Sequence, residues 1–154
     1  MKLAVFSDSH GDSEKMLDIV ARTRPDMIVH LGDGERDVIE LRERFPDIAL
    51  RAVSGNCDFR TAKPETELFE VEGVKFFITH GHLFGVKSTR AKLIEQAVRR
   101  GAGVAMYGHT HCAQLLETDR FMLLNPGSCG ACASPSYAAV TVESGECKAE
   151  IIDL

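Results

Sequence analysis

The sequence predicts an α/β protein of two sheets packed face to face with helices on the outside, and three observations carry that reading. Apolar runs alternate with helical periodicities through residues 3–53. Paired apolar runs flanking short polar turns dominate the rest. Five of the apolar runs end in glycine-marked turns that carry Asp, Asn or His.

Residues 3–6 are a continuous apolar run, the pattern of a strand covered on both faces. Residues 13–24 read as a helix, with Met16, Leu17, Val20 and Ala21 at helical spacing. A second strand is expected over 27–31. A helix over 35–45 places Val38, Leu41 and Phe45 on one face, and Pro46 ends it. Residues 48–53 give a third strand. This β-α-β-α-β order predicts a parallel or mixed sheet. Runs 68–71 and 74–79 flank Glu72-Gly73, a two-residue hairpin signal. A helix over 88–100 is expected to face inward through Ala91, Ile94, Ala97 and Val98, before a buried strand at 104–107. Runs 114–117 and 121–124 flank a polar turn, and runs 137–142 and 147–152 flank Ser144-Gly145.

A chain of 154 residues without repeats or linker-like tracts fits a single domain, residues 1–154, with a core of its own. With 44% apolar and 27% charged residues it reads as a soluble globular protein. The net charge of -5 argues against a stable nucleic-acid partner, which needs Lys and Arg to neutralise phosphates, but leaves small nucleotides open as substrates. The first apolar run is too short for a signal peptide, and no stretch approaches the roughly 20 apolar residues of a membrane span. A cytoplasmic location is therefore expected. The five cysteines, an odd number, are expected to be free thiols in a reducing compartment. Exposed hairpin edges leave a homo-oligomer open.

The chemistry concentrates in the turns after the predicted strands. Ser7-Asp8-Ser9-His10, Gly32-Asp33, Gly55-Asn56-Cys57-Asp58, His80-Gly81-His82 and Gly108-His109-Thr110-His111 each close one. Strand ends of an open α/β sheet lie side by side in space and bind ligands. Five of the six histidines fall in these turns, which scattered surface histidines would not do. Imidazole combined with carboxylate and amide oxygen suits a first-row transition metal, whereas structural zinc favours cysteine.

These blocks, in this order, resemble the five motifs of the calcineurin-like metallophosphoesterases, and the match runs from residue 8 to 111. Asn125-Pro126-Gly127-Ser128 extends it toward the short single-domain members. The chain most resembles the small bacterial and archaeal phosphodiesterase branch, whose third block often reads Gly-Asn-Cys-Asp. The resemblance implies an αββα sandwich of two packed mixed sheets flanked by helices. It implies that Asp8, His10 and His111 hold one divalent metal, that Asn56, His80 and His109 hold another, and that Asp33 bridges them. Manganese is the expected ion, with nickel, iron, cobalt or zinc as alternatives. Two cations about 3.5–4 Å apart stabilise the attacking and leaving oxygens of an in-line displacement, and a hydroxide bridging them is a strong nucleophile near neutral pH. The function so implied is metal-dependent hydrolysis of a small phosphodiester. The alternatives are a phosphomonoesterase with the same metals, and a non-catalytic scaffold protein of the same fold, as in a retromer coat subunit whose metal site is altered.

Other residues are read against that pattern. The broader family has His after the third-block Asn; Cys57 stands there, a weaker donor that is a catalytic candidate beside Asp33, Asn56 and His80, with a water as acid or a less demanding leaving group as the alternatives. Arg36 occupies the place of a family Asp, and neither it nor Asp37 is taken as a ligand. His82 is placed to contact substrate or to support a ligand. His30 is read as structural. A single Cys129-x-x-Cys132 pair is weak evidence for redox or zinc chemistry. Lys87 and Arg90 are candidates for meeting a substrate phosphate, as is Arg60, whereas Lys92, Arg99 and Arg100 read as a solvated face.

Overall fold

The computed structural model describes residues 1–59 and 61–154; Arg60, the third candidate for a phosphate contact, lies outside the described residues. The first part of the chain folds as β1 (Lys2–Phe6), α1 (Glu14–Thr23), β2 (Met27–His30), α2 (Glu35–Arg44) and β3 (Ala49–Ala52). The second runs β4 (Thr66–Val71), β5 (Val74–Thr79), a 3₁₀ turn (His82–Phe84), α3 (Ala91–Arg99), β6 (Val104–Met106), β7 (Gln114–Glu117), β8 (Met122–Asn125), β9 (Ser136–Glu143) and β10 (Glu146–Asp153).

Two five-stranded mixed sheets result, ordered β10-β9-β1-β2-β3 and β4-β5-β6-β8-β7. β1, β2 and β3 run parallel, as do β5, β6 and β8, so both sheets point carboxyl ends at the same turns the sequence marked. Side-chain alternation decides what each face meets. Leu3, Val5 and Val29 of the first sheet share one buried cluster with Phe76, Ile78, Met106 and Leu124 of the second. On the far side, Ala4, Phe6 and Ile28 pack under Met16, Val20 and Leu41 of α1 and α2. Phe77, Ala105 and Leu123 pack under Leu93 and Ala97 of α3. The order of layers is therefore helix, sheet, sheet, helix, the predicted αββα sandwich.

Two local expectations need correction. The third helix begins at Ala91, not at residue 88, because the Thr89 hydroxyl accepts the Ala91 N–H at 3.3 Å and offers the chain a non-helical start. Its inner face is Leu93 and Ala97, with Ile94 half-buried, while Ala91 and Val98 are exposed. In α1 the buried face is Met16, Ile19 and Val20, and Ala21 is exposed. The last hairpin also crosses back: β9 lies antiparallel beside β1, and the N-terminal amine bonds Val142 O at 2.6 Å. Hairpin patterning identifies such strands but not the sheet they join. Among the described residues, no helix is long and apolar enough to cross a membrane. All five cysteines are free.

Candidate metal centre

Turns from both sheets meet at one rim. Asp8 and His10 follow β1, Asp33 follows β2, and Asn56 and Cys57 follow β3. His80 follows β5, and His109 and His111 follow β6. Asp8, Asp33 and His80 form a buried floor; His10, Asn56 and His111 are exposed at the edge, with His109 between. His111 Nε2 lies 3.2 Å from Asp8 Oδ1, and His10 Nε2 lies 3.3 Å from His111 Nε2. On the other side His80 Nε2 lies 3.3 Å from Asp33 Oδ2, 3.1 Å from Asn56 Oδ1 and 3.2 Å from His109 Nδ1. His10 Nε2 is 3.9 Å from both Asp8 Oδ1 and Asp33 Oδ2. All seven predicted ligands are thus neighbours, and Asp33 lies between His10 on one side and His80 on the other.

The chain accepts unfavourable backbone to bring them there. Asp8, His10, Asp33, His109 and His111 all have left-handed φ, between 49° and 67°. Non-glycine residues avoid this region unless their surroundings impose it. Gly32 is the partner that makes the Asp33 turn possible: its φ is +95°, and a Cβ there would stand 2.6 Å from Gly55 N. At Gly108 a Cβ would collide with Ser7 Oγ.

Each floor ligand has one atom anchored by the protein and one turned toward a common centre. Asp8 Oδ2 accepts from Ser7 Oγ at 2.6 Å and from His109 N at 3.0 Å, while Oδ1 is buried and accepts no hydrogen bond among the described residues. Asp33 Oδ1 accepts the Cys57 N–H at 2.7 Å, which leaves Oδ2 facing the histidines. His80 Nδ1 meets Leu31 O at 2.8 Å; a carbonyl only accepts, so Nδ1 carries a proton and Nε2 is the atom turned toward Asp33, Asn56 and His109. A buried carboxylate oxygen without a partner, beside a second carboxylate, is costly unless a cation joins it. The donor set therefore fits divalent metal, and the ligand atoms of Asp8, Asp33 and His80 all lie within 4.8 Å of one another.

The protonation balance reflects the same crowding. Burial works to raise the Asp33 carboxyl, but the His80 and Cys57 hydrogen bonds and the His80 charge outweigh it and hold the group well below the usual carboxylate range. Burial likewise opposes charge on His80, yet the Asp33 bond and the charges of Asp8 and Asp33 raise its pKa. His109 and His82 are lowered, by burial first and then by the charge of His80. Burial, followed by the Asp33 hydrogen bond and charge, raises the Cys57 thiol, so it keeps its proton at neutral pH. Cys57 sits at the rim, its Sγ within 4.8 Å of ligand atoms of His10 and Asp33.

Other expectations resolve unevenly. The His82 ring lies tilted beside His80 and edge-on to His109, with centroids 5.5 and 6.2 Å away, and its Nδ1 is buried without a partner among the described residues. Lys87 is close enough for its charge to lower His109. Arg90 instead turns inward, its Nε donating to Tyr107 OH at 3.1 Å. Cys129 is buried, its thiol donating to Ser7 O, the half-buried Cys132 donates to Ser128 O, and neither joins a metal-ligand group among the described residues.

Sequence reasoning missed the residues that hold the turns. The Asp58 carboxylate accepts four backbone N–H groups: Asp33 at 2.8, Gly34 at 3.0, Glu35 at 2.9 and Gly55 at 2.8 Å. It caps α2 and ties the Asp33 turn to the Asn56 turn. An acid following a strand, with a helix start left without its own cap, is the signal that was available. A second device is a buried chain. Gly32 N–H donates to His30 Nδ1, His30 Nε2–H to Ser9 Oγ at 3.2 Å, and Ser9 O–H to Asp37, which also accepts the Gly11 N–H at 2.9 Å. Asp37 thus braces the turn carrying His10 without being a ligand. Asn125 does the same for the last turn, donating to Gly108 O and Thr110 Oγ1 at 3.0 Å, and Ser128 Oγ donates to Asp8 O at 2.8 Å.

Comparison with known proteins agrees with this geometry. Residues 1–145 match the calcineurin-like phosphoesterase superfamily domain. The chain is 34% identical over 150 residues to the probable metallophosphoesterase YsnB of Bacillus subtilis, covering 94% of this chain and 86% of that protein. It is 31% identical over 153 residues to the phosphodiesterase YfcE of Escherichia coli, covering 83% and 79%. A predicted phosphoesterase from Streptococcus pneumoniae superposes with a TM-score of 0.83 at 31% identity, over 99% of this chain and 88% of that one. Vps29 from Entamoeba histolytica shares the fold, with a TM-score of 0.79 at 21% identity over 100% and 99% of the two chains. With its sandwich, its ordered ligand turns and these relatives, the chain belongs to the calcineurin-like phosphoesterase family.

Proposed function

We propose that the protein is a metal-dependent phosphodiesterase acting on small phosphodiesters, with two divalent cations, manganese by preference. Asp8, His10 and His111 would hold one, Asn56, His80 and His109 the other, and Asp33 would bridge. The observation that carries this reading is the split role of the floor ligands: one atom of each is fixed by the protein, and the other is turned toward a common centre. When bound, the cations would supply an activated water and charge stabilisation for in-line displacement at phosphorus.

The chain's own groups prepare that step. Leu31 O holds the His80 ring in one tautomer. The Cys57 N–H fixes the Asp33 carboxylate. The protonated Cys57 thiol stands at the rim, where it can donate to a departing oxygen, though more weakly than imidazolium. A weak donor favours leaving groups that need little protonation, such as aryl oxides.

The reading is tested by metal analysis of the purified protein with assays of paired aryl monoesters and diesters in Mn²⁺. Diester preference is expected. Asp33→Asn should lower hydrolysis about a thousandfold, since several kcal/mol of charge stabilisation rest on the cations. Retained hydrolysis in that variant would overturn the site assignment, and monoester preference would overturn the substrate class. The full ligand set speaks against a purely scaffolding role, for which no ordered donors are needed.

A further inference from the structure

We propose that the cavity lined by residues 33–37, at the start of α2, and 57–59 is a subsite for one arm of the ester, receiving an aromatic ring on Phe59 and a second anionic group on Arg36. This deepens the metal-centre reading and rests on it. The cavity measures about 460 Å³ and is bordered at one end by His10, Asp33 and Cys57, so it opens directly on the candidate metals. That volume suits a small-molecule arm.

Its walls carry four carboxylates, and each visible charge balance beyond Asp33 is already met locally. Asp58 is saturated by four N–H donors, Asp37 by Ser9 and Gly11, and Glu35 by Lys63 Nζ at 2.5 Å. Arg36 is different: it is exposed and makes no hydrogen bond or ion pair with any described residue. Phe59 is 82% exposed, with no aromatic partner among the described residues. A lone exposed Phe needs no explanation on an open surface. Here it borders a cavity that reaches the candidate metal centre and that Arg36 also lines. A ring and a planar cation together recognise a flat group that carries negative charge, as a nucleotide arm does. The other cavity of similar size, about 480 Å³, lies at the opposite end among the hairpin turns and touches none of the ligand turns.

The test keeps the leaving group constant. The Mn²⁺-loaded protein is assayed on ethyl p-nitrophenyl phosphate and on the p-nitrophenyl ester of thymidine 5′-phosphate, with and without a 3′-phosphate. Phe59→Ala should cut the preference for the thymidine arm over the ethyl arm about five- to tenfold, as loss of base stacking does. Arg36→Ala should cut the advantage of the 3′-phosphate about three- to fivefold, as an exposed ion pair allows. Arg36→Lys should restore part of it. Calorimetric binding of thymidine 3′,5′-bisphosphate should weaken by similar factors in the two alanine variants. Unchanged preferences and unchanged bisphosphate binding overturn the subsite. If no ester is hydrolysed by wild type while bisphosphate binding still weakens in the variants, the metal-centre reading fails and the subsite stands.

Discussion

The two ends of the sandwich use the same unusual backbone for different reasons. Among the described residues, eight non-glycine positions have left-handed φ. Five are candidate ligands at one rim; Glu72 and Ser144 occupy hairpin turns at the other. Arg24, the eighth, terminates α1. In the hairpins both turn residues are left-handed, the geometry that matches strand twist, so the conformation is justified by the two strands it joins. At the ligand rim no local rule asks for it. It is imposed from a distance by Asp58, Asp37, Asn125 and Ser128. Backbone strain is thus a local convenience at one end and a tertiary achievement at the other.

Substitutions should separate the two cases. The largest effect is expected at Asp58, whose removal leaves four N–H donors without their carboxylate. Asp58→Ala should cost about 3 kcal/mol in denaturant unfolding and weaken Mn²⁺ binding about 10- to 100-fold, as loss of a ligand's support does. Wild-type metal affinity in that variant would show that the Asp33 turn holds itself. His30 comes next. Burial, against the pull of Asp58, pushes its pKa down from 6.5 to about 4. As pH falls through 6.5 the unfolded chain gains a proton that the folded protein refuses until about pH 4, so stability is lost across that window. The loss should reach about 3 kcal/mol, seen as the difference between wild type and His30→Gln in unfolding at pH 7 and pH 4. Parallel pH profiles would contradict it. Asp37→Asn keeps the shape but weakens the charged acceptor, and about 1–2 kcal/mol should be lost, with a measurable fall in Mn²⁺ affinity. At the far end, Ser144→Asn should raise stability by about 0.5 kcal/mol and leave metal binding unchanged, because asparagine tolerates the left-handed region.

The strands, the helices and all seven candidate ligands could be read from the chain because each rests on a local signal: periodicity for Leu3 to Phe6 or Val38 and Leu41, and a glycine-marked turn for Asp33 or His109. What stayed hidden depends on contacts between distant segments. Asp58 looked like a turn residue, yet its partners include the N–H groups of residues 33–35. His30 was rightly read as structural, but the relay through Ser9 to Asp37 needs three segments at once. The return of β9 to pair with β1 has no sequence signature, since an antiparallel strand reads the same in either sheet. Nothing local to Arg90 distinguishes a phosphate contact from a structural one, and only the position of Tyr107 shows where it turns.

The candidate ligands divide between the layers: Asp8, His10, Asp33 and Asn56 hang from one sheet, His80, His109 and His111 from the other. An ion held there would act as a staple across the sandwich, joining chain segments about a hundred residues apart as a disulfide would, but reversibly. Denatured chain cannot offer that arrangement, so occupancy at a hundred times the dissociation constant adds about 2.7 kcal/mol to folding. Chelators would then loosen the architecture as well as silence any chemistry at the rim.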